Sequence, residues 1–300
     1  MSDAHLTQPL KLLIEPFAGS AAVSIALLEA GYTENIALCD SDPLVGNFWR
    51  VVFGPDYRYN DLRDWIAQTP ITLTEFHEVH RLEGKDPVEA AFKCLFLNRT
   101  SFSGVIHRGS GPIGGTRQRS DYKIDCRFPR QALLERLDKL HAMRHRVLYA
   151  GKRPYNRMTQ SRPVNRIVTA EPHRVLWYMD PPFFCKADRL YNHTFCYADH
   201  KRFRKYVKRE LSGHWIVSYD DVPNARALWS DCDNVSEASL TYSVRSEQRS
   251  GQQQNQRATA KELLMSSFYS ESSGQVIDLN RRHKQRRQFI PVKFGQVAKA

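Results

Sequence analysis

An α/β architecture, a mainly parallel sheet with helices on both faces and a basic insertion between its two halves, is the fold class this sequence predicts. Three observations lead there. Short apolar runs alternate with helix-length segments, the first run opens into a turn of small residues, and positive charge is concentrated in one stretch of the chain.

Taken in order, "LKLLI" (Leu10–Ile14) reads as a strand, and the apolar spacing from Ala21 onward as a helix stopped by Gly31. "NIALCD" (Asn35–Asp40) is a second strand, and Asp42 followed by Pro43 opens a helix running to about Val52. Helices are expected over "YNDLRDWIAQ", "TLTEFHEVHRLEG" and "PVEAAFKCLFLNR". The segment "TSFSGVIHRGSGPIGGTRQRSDYKIDCRF" has little helical periodicity and reads as a long functional loop or small insertion. A helix over Pro129–Met143, a strand "RVLYAG" and an irregular basic stretch "KRPYNRMTQSRPVNR" come next. After the strand "RVLWYM" and the sequence "DPPFF" come a charged helix "DHKRFRKYVKREL", a strand "HWIVSYDD", a helix near "VPNARALW" and a strand "VSEASLTYSV". A polar loop ("RSEQRSGQQQNQRATAK"), a last strand "ELLMSSF" and a basic tail ("RRHKQRRQFIPVKFGQVAKA") complete the chain.

At 300 residues and 34.7 kDa the chain can bury a substantial core. It has no apolar run of the length, about 18 residues, that spans a bilayer, and its N-terminal residues lack the basic and apolar regions of a signal peptide. Six cysteines lie scattered without C-x-x-C or zinc spacing, which suggests free thiols in the cytoplasm and no metal site. The net charge of +12 is uneven: residues 1–98 carry 7 basic and 14 acidic side chains, residues 99–168 carry 16 and 4. An acidic scaffold joined to a strongly basic segment points to a polyanion partner, nucleic acid being the commonest.

Two constellations carry chemistry. The first is the turn "EPFAGSAA", where Gly19, Ser20 and their small neighbours would let a ligand approach the backbone at the positive end of a helix. Asp40 ends the second strand 21 residues after Gly19, a spacing that suits a carboxylate receiving the ribose hydroxyls of an adenosine moiety. The pattern is not G-x-G-x-x-G, which disfavours a pyrophosphate-containing dinucleotide and favours an adenosyl cofactor such as S-adenosylmethionine. Glu15, beside Pro16 and Phe17 at the strand end, would face a cationic ammonium or sulfonium; the competing reading is a solvated strand-end acid. The turn itself could equally be tight for packing alone.

The second constellation is "DPPF". Asp180 would lie at the sheet edge, and Pro181 and Pro182 hold the chain extended while donating no hydrogen bonds. A carboxylate beside a backbone carbonyl is a two-acceptor clamp for an amino group, and Phe183 offers a face on which a heteroaromatic ring can stack.

With these motifs in this order, the chain resembles the Dam-like alpha group of S-adenosylmethionine-dependent DNA adenine N6-methyltransferases. "EPFAGSAAV" is similar to its cofactor motif, "FLNRTSFSG" to the start of its recognition segment, "DPPF" to its catalytic motif, "LYNHTFCYADH" to the stretch that follows and "ELLMSSF" to its closing strand. The resemblance implies a Rossmann-like methyltransferase sheet, with residues 1–98 and 169–270 forming the cofactor-binding catalytic domain. Residues 99–168 are then a target-recognition insertion and 271–300 a tail. It implies an adenine flipped out of double-stranded DNA, its amino group held by Asp180 and the Pro181 carbonyl, Phe183 stacked on the ring, and direct attack on the methyl group by a monomeric enzyme. Asn98 and Arg99 match the start of the recognition region. Arg108, Arg117, Arg119, Lys123 and Arg127 are candidates for phosphate or guanine contacts, or merely solvated cations.

Tyr191, Phe195 and Asp199 match the post-catalytic stretch, or are helix-packing aromatics and an N-cap. Cys185 lies near the motif, but there is no Pro-Cys pair of the kind a cytosine C5 enzyme uses. The family's Lys-Trp-x-Gly-Gly-Lys-like segment has no counterpart in "HLTQPLKL"; the expectation is a truncated chain, contacts supplied by another segment, or weak cofactor binding. Methylation of cytosine N4 or of RNA, and a non-catalytic DNA-binding protein on the same fold, remain alternatives.

Overall fold

A computed structural model describes residues 8–106, 109–184, 195–241, 259–268 and 276–278. Its centre is an eight-stranded sheet in the order β3-β2-β1-β4-β5-β7-β6-β8. The strands are β1 (Leu12–Glu15), β2 (Ile36–Asp40), β3 (Val147–Lys152), β4 (Val175–Met179), β5 (His214–Asp220), β6 (Val235–Thr241), β7 (Thr259–Ser266) and β8 (Val276–Asp278). The first five are mutually parallel, β7 runs antiparallel between β5 and β6, and β8 pairs parallel with β6. This is the expected α/β, Rossmann-like sheet.

Helices cover both faces, and the strand sequences show why. All four residues of β1 are buried, as a strand covered on both sides requires. Successive side chains point to opposite faces. Leu13, Ile36, Leu38 and Leu176 therefore join one apolar core, while Leu12, Ile14, Ala37, Val175, Trp177 and Met179 join the other. The first core is closed by α1 (Ala22–Glu29), α2 (Pro43–Val52), α3 (Asp56–Gln68), α4 (Leu73–Arg81), α5 (Pro87–Thr100) and α6 (Arg130–Ala142). The second is closed by α7 (Arg162–Ala170), α8 (Tyr197–Arg209) and α9 (Pro223–Leu228). None of the helices in the described residues is long and apolar enough to cross a membrane.

Local chemistry sets the helix ends. Asp42 caps α2 by accepting from the Leu44 and Val45 amides, and Asp86 caps α5 through Val88 and Glu89, each with proline in the first turn. Arg130 donates to the Ile66 and Thr69 carbonyls at 2.7 and 2.6 Å, satisfying acceptors that the end of α3 leaves open.

Several expectations change. The stretch read as irregular, "KRPYNRMTQSRPVNR", folds into a 3-10 segment (Tyr155–Gln160) and the start of α7. Val164, Ile167 and Val168 recur at helical spacing and are buried there, a signal obscured by the basic residues on the solvent side. The supposed insertion, 99–168, contributes β3 as a sheet strand paired with β2, with α6 and α7 flanking it. The longest stretch of it outside the sheet and long helices is 101–129, of which 107 and 108 are outside the described residues. β7 starts at Thr259, inside the expected polar loop, and β8 lies within the expected tail.

The fit of α2 against β3 turns on Gly46. A Cβ there would lie 2.6 Å from the Lys152 Cα and 2.7 Å from its amide nitrogen, both rigid backbone atoms. Gly46→Val is expected to destabilise the protein by about 2–3 kcal/mol through overpacking, measured by urea unfolding; an unchanged midpoint would show that the two elements separate freely.

Candidate active site

The strand order reverses between β1 and β4, so consecutive crossovers leave on opposite faces and a crevice opens at the carboxyl ends of these strands. Glu15 ends β1, Asp40 ends β2, and Asp180 immediately follows β4. Parallel pairing therefore delivers three carboxylates to one edge.

The turn after β1 is tightly wound. Gly19 has φ +46° and Ala21 φ +50°; for alanine this left-handed conformation is unfavourable and persists because its surroundings enforce it. Those surroundings are visible: the Gly19 carbonyl accepts from Trp49 Nε1 at 2.9 Å, and the Gly19 amide donates to Asp40 Oδ2 at 3.0 Å. Asp40 Oδ1 accepts from the Asp42 amide at 2.9 Å. The turn and the end of β2 are thus one hydrogen-bonded unit, with Gly19 and Ser20 exposed at its tip. Phe17 faces the second core, its ring centroid 5.4 Å from Tyr155 and 5.5 Å from Phe203.

Glu15 is only 4% exposed, which rules out the solvated-acid reading. Its Oε2 accepts from the Ser24 amide at 3.1 Å, so it caps α1, whose own N-cap residue, Ala21, has no side chain to do so. Burial pushes the Glu15 carboxyl up to about 7, against the Ser24 hydrogen bonds that lower it, with smaller upward contributions from Asp180 and Asp40. Burial likewise raises Asp40 to about 6, partly offset by its amide donors. Such a group of acids favours a cationic ligand, which would relieve their repulsion. Among the described residues no group of three or more His, Cys, Asp or Glu could hold a metal ion.

Asp180 is exposed at the edge, and Ser218 on β5 donates to its Oδ1 at 2.8 Å. Pro181 is buried; Phe183 is half-buried against the second core. Phe184, which the motif reading did not single out, donates its amide to Asp220 Oδ1 at 3.3 Å and stacks on His200 at 3.8 Å between centroids. Phe195 joins the aromatic group of Phe17 and Tyr155. Asp199 is the third residue of α8 rather than its N-cap: it accepts from the Cys196 amide at 2.9 Å in a capping box. Tyr191 and Cys185 lie outside the described residues.

At the end of α5, Asn98, Arg99 and Arg127 come together. Asn98 Nδ2 donates to the Gly104 carbonyl at 3.1 Å, and a Cβ on Gly104 would lie 3.5 Å from the Arg127 guanidinium. Burial lowers the Arg99 pKa, and the neighbouring Arg127 charge lowers it further. Arg117, Arg119 and Lys123 are exposed on the turns of 101–129, Lys123 donating to the Gln118 carbonyl at 2.7 Å. They are not drawn into the Arg99–Arg127 group by any hydrogen bond; Arg108 lies outside the described residues.

Sequence reasoning missed Ser218, Asp220, His200 and Trp49. Their only signal was position: Ser218 and Asp220 end a strand adjacent to the "DPPF" strand, a neighbour relation the linear sequence does not state.

Compared with known proteins, residues 5–245 match the model of the D12 class N6 adenine-specific DNA methyltransferases. No curated protein matches. Among solved structures, the chain is similar to the rRNA methyltransferase aviRa from Streptomyces viridochromogenes, with 11% identity and a TM-score of 0.34, over 87% of this chain and 78% of that one.

The electrostatics of Glu15 give a test in the ligand-free protein. Its folded pKa, about 7, lies above its ordinary 4.5, so its stabilising contribution is full below about pH 4.5 and is lost as pH rises through 7. Urea unfolding of the parent and Glu15→Gln at pH 5 and 8 should show the parent losing on the order of 2–3 kcal/mol relative to the variant. Parallel pH profiles would refute the assignment.

Proposed function

This chain belongs to the D12 class N6 adenine-specific DNA methyltransferase family, and from that premise we propose that S-adenosylmethionine binds at the turn after β1 and that Asp180–Phe183 hold the adenine of duplex DNA. The observation that carries this reading is the placement of Asp180 beside Glu15 across the strand switch point, with its carboxylate oriented by Ser218.

The residues present fit the cofactor. Exposed Gly19 and Ser20 offer backbone at the start of α1. Each Asp40 oxygen that accepts an amide retains a second lone pair for a ribose hydroxyl. Glu15 supplies negative charge behind the turn, toward the cationic methionine end. The cofactor contributes an electrophilic methyl group on a positively charged sulfur.

What the protein contributes is orientation. The adenine amino group donates to the Asp180 carboxylate and the Pro181 carbonyl, which localises its lone pair on N6 and directs it along the line of attack. The two prolines have no N–H and so add no donor of their own beside those acceptors. Phe183 stacks on the extruded base and offsets part of the unstacking cost, which is about a few kcal/mol. When bound, the cofactor would supply the methyl group and its sulfur would be the leaving group, while the Asp180 carboxylate would take the proton that the amino group loses. The duplex is gripped through residues 101–129, with Arg99 and Arg127 on its phosphates, and the protein acts as a monomer.

Asp180→Ala should lower transfer of labelled methyl groups to DNA by about 10²–10³-fold or more while duplex affinity stays within about threefold; retained transfer would exclude the clamp. Sequencing DNA from cells expressing the chain should reveal N6-methyladenine at a defined site, whereas N4-methylcytosine would redirect the base assignment. Arg127→Ala should weaken binding of all duplexes alike and reduce the salt slope by about one, by fluorescence titration at several salt concentrations. Loss confined to one sequence would make Arg127 a base reader instead.

A further inference from the structure

In the loop Asp180–Phe184 the two prolines fix the backbone locally but give no N–H with which to tie it to the sheet, so contacts from neighbours must place it. Three consecutive residues at the end of β5 do so. Ser218 Oγ donates to Asp180 Oδ1 at 2.8 Å and lies 3.4 Å from the Met179 carbonyl oxygen. Asp220 Oδ1 accepts from the Phe184 amide at 3.3 Å. Tyr219, on the opposite face and fully buried, meets His200 Nδ1 through its hydroxyl at 2.8 Å, and the His200 ring stacks on Phe184. His200 is itself fully buried in the first turn of α8, and burial lowers its pKa, which keeps the ring neutral.

We propose that Ser218, Tyr219, Asp220 and His200 are positioning residues for methyl transfer, forming a template that sets the acceptor loop; this rests on the methyltransferase reading above. The terminal torsion of an aspartate is soft, so a carboxylate tied only to its own backbone would sample a wide range of planes. The Ser218 bond to Oδ1 fixes that plane and with it the direction in which the carboxylate and the Pro181 carbonyl jointly receive an amino group. Asp220 and the His200 ring hold the far end of the same loop at Phe184, one residue beyond the stacking Phe183. His200 acts through Phe184 and Tyr219 acts through His200, so neither needs to touch the base. β5 borders β4 through Tyr178↔Ile216 and Met179↔Val217, which makes the template as rigid as the sheet.

The decisive experiment is single-turnover transfer from labelled S-adenosylmethionine to plasmid DNA from a methylation-deficient host, for the parent, Ser218→Ala, Ser218→Thr and Tyr219→Phe. Cofactor affinity is measured by calorimetry and DNA affinity by anisotropy. Ser218→Ala should slow transfer by about 10–100-fold, with both affinities within about twofold of the parent, so that the loss falls on kcat and not on KM. Ser218→Thr, which keeps the hydroxyl, should recover to within about threefold, and Tyr219→Phe should slow transfer by about 3–10-fold. A parental rate for Ser218→Ala, or equal losses for the alanine and threonine variants, overturns the proposal. If the parent methylates a different exocyclic amine, the adenine reading fails and the template is judged by the same ratios on that substrate. A parent that methylates no nucleic acid overturns both.

Discussion

The parallel pairing of β1 with β4 is the constraint on which the site depends. Leu12, Leu13 and Ile14 stand opposite Val175, Leu176 and Trp177, all of them buried, and a slip of one residue would turn each side chain to the wrong core. That register brings Glu15 and Asp180 to the same edge although about half the chain separates them. Because the strand order reverses at this pair, the helices that follow depart to opposite faces and leave the edge open. The crevice is thus a consequence of topology, and loops only line it.

Placing carboxylates together at that edge works against folding. Glu15 and Asp40 are both held above their ordinary pKa values by burial, and each ionised acid adds to the field on the others. The structure offsets this with backbone amides, Ser24 for Glu15 and Gly19 and Asp42 for Asp40, which are fixed dipoles and need no counter-ion. The Gly19 and Ser24 amides belong to the turn after β1 and the start of α1, where the cofactor is proposed to bind. Burial is the main cause of both shifts, and a positive charge brought to this edge would favour the ionised form of each acid.

Local chemistry was legible in the sequence; lateral neighbours were not. A small-residue turn followed by a helix, an aspartate 21 residues on, and a proline pair behind an acid each state their geometry within a short window, and the structure places them at one edge. Ser218 and Asp220 lie 38 and 36 residues from their partners and become meaningful only once β5 is known to border β4. The basic insertion was bounded by charge, and the stretch so bounded, 99–168, includes α6, β3 and most of α7. Arginines on the solvent side of α7 look the same in sequence as arginines on a recognition loop, whereas Val164, Ile167 and Val168 show which of the two they serve. Glu15 was read as a ligand-facing acid, and its second task as a helix cap depended on Ala21 being unable to cap α1.

The described residues of 101–129 show how a segment with little regular structure, one short 3-10 turn at Phe102–Gly104, can still be ordered. Ile124 and Phe128 are inserted into the first core, so the segment is tethered by burial at its C-terminal side. Gln118 braces its interior, donating to the Ile113 and Gly115 carbonyls at 2.6 and 2.8 Å and accepting from the Ile124 amide at 2.9 Å, while Lys123 donates to the Gln118 carbonyl. An amide can do this because it both donates and accepts, and this bracing does not draw on Arg117, Arg119 or Arg127. Arg117, Arg119 and Arg127 consequently remain exposed, and none of the three has an acidic partner within the ion pairs of the described residues. A loop braced by glutamine and anchored by two apolar plugs can change its outward side chains with little effect on the sheet below. Under the proposed function the division of labour is physical: the sheet edge would fix the chemistry on an amino group, and the braced loop would carry the choice of sequence.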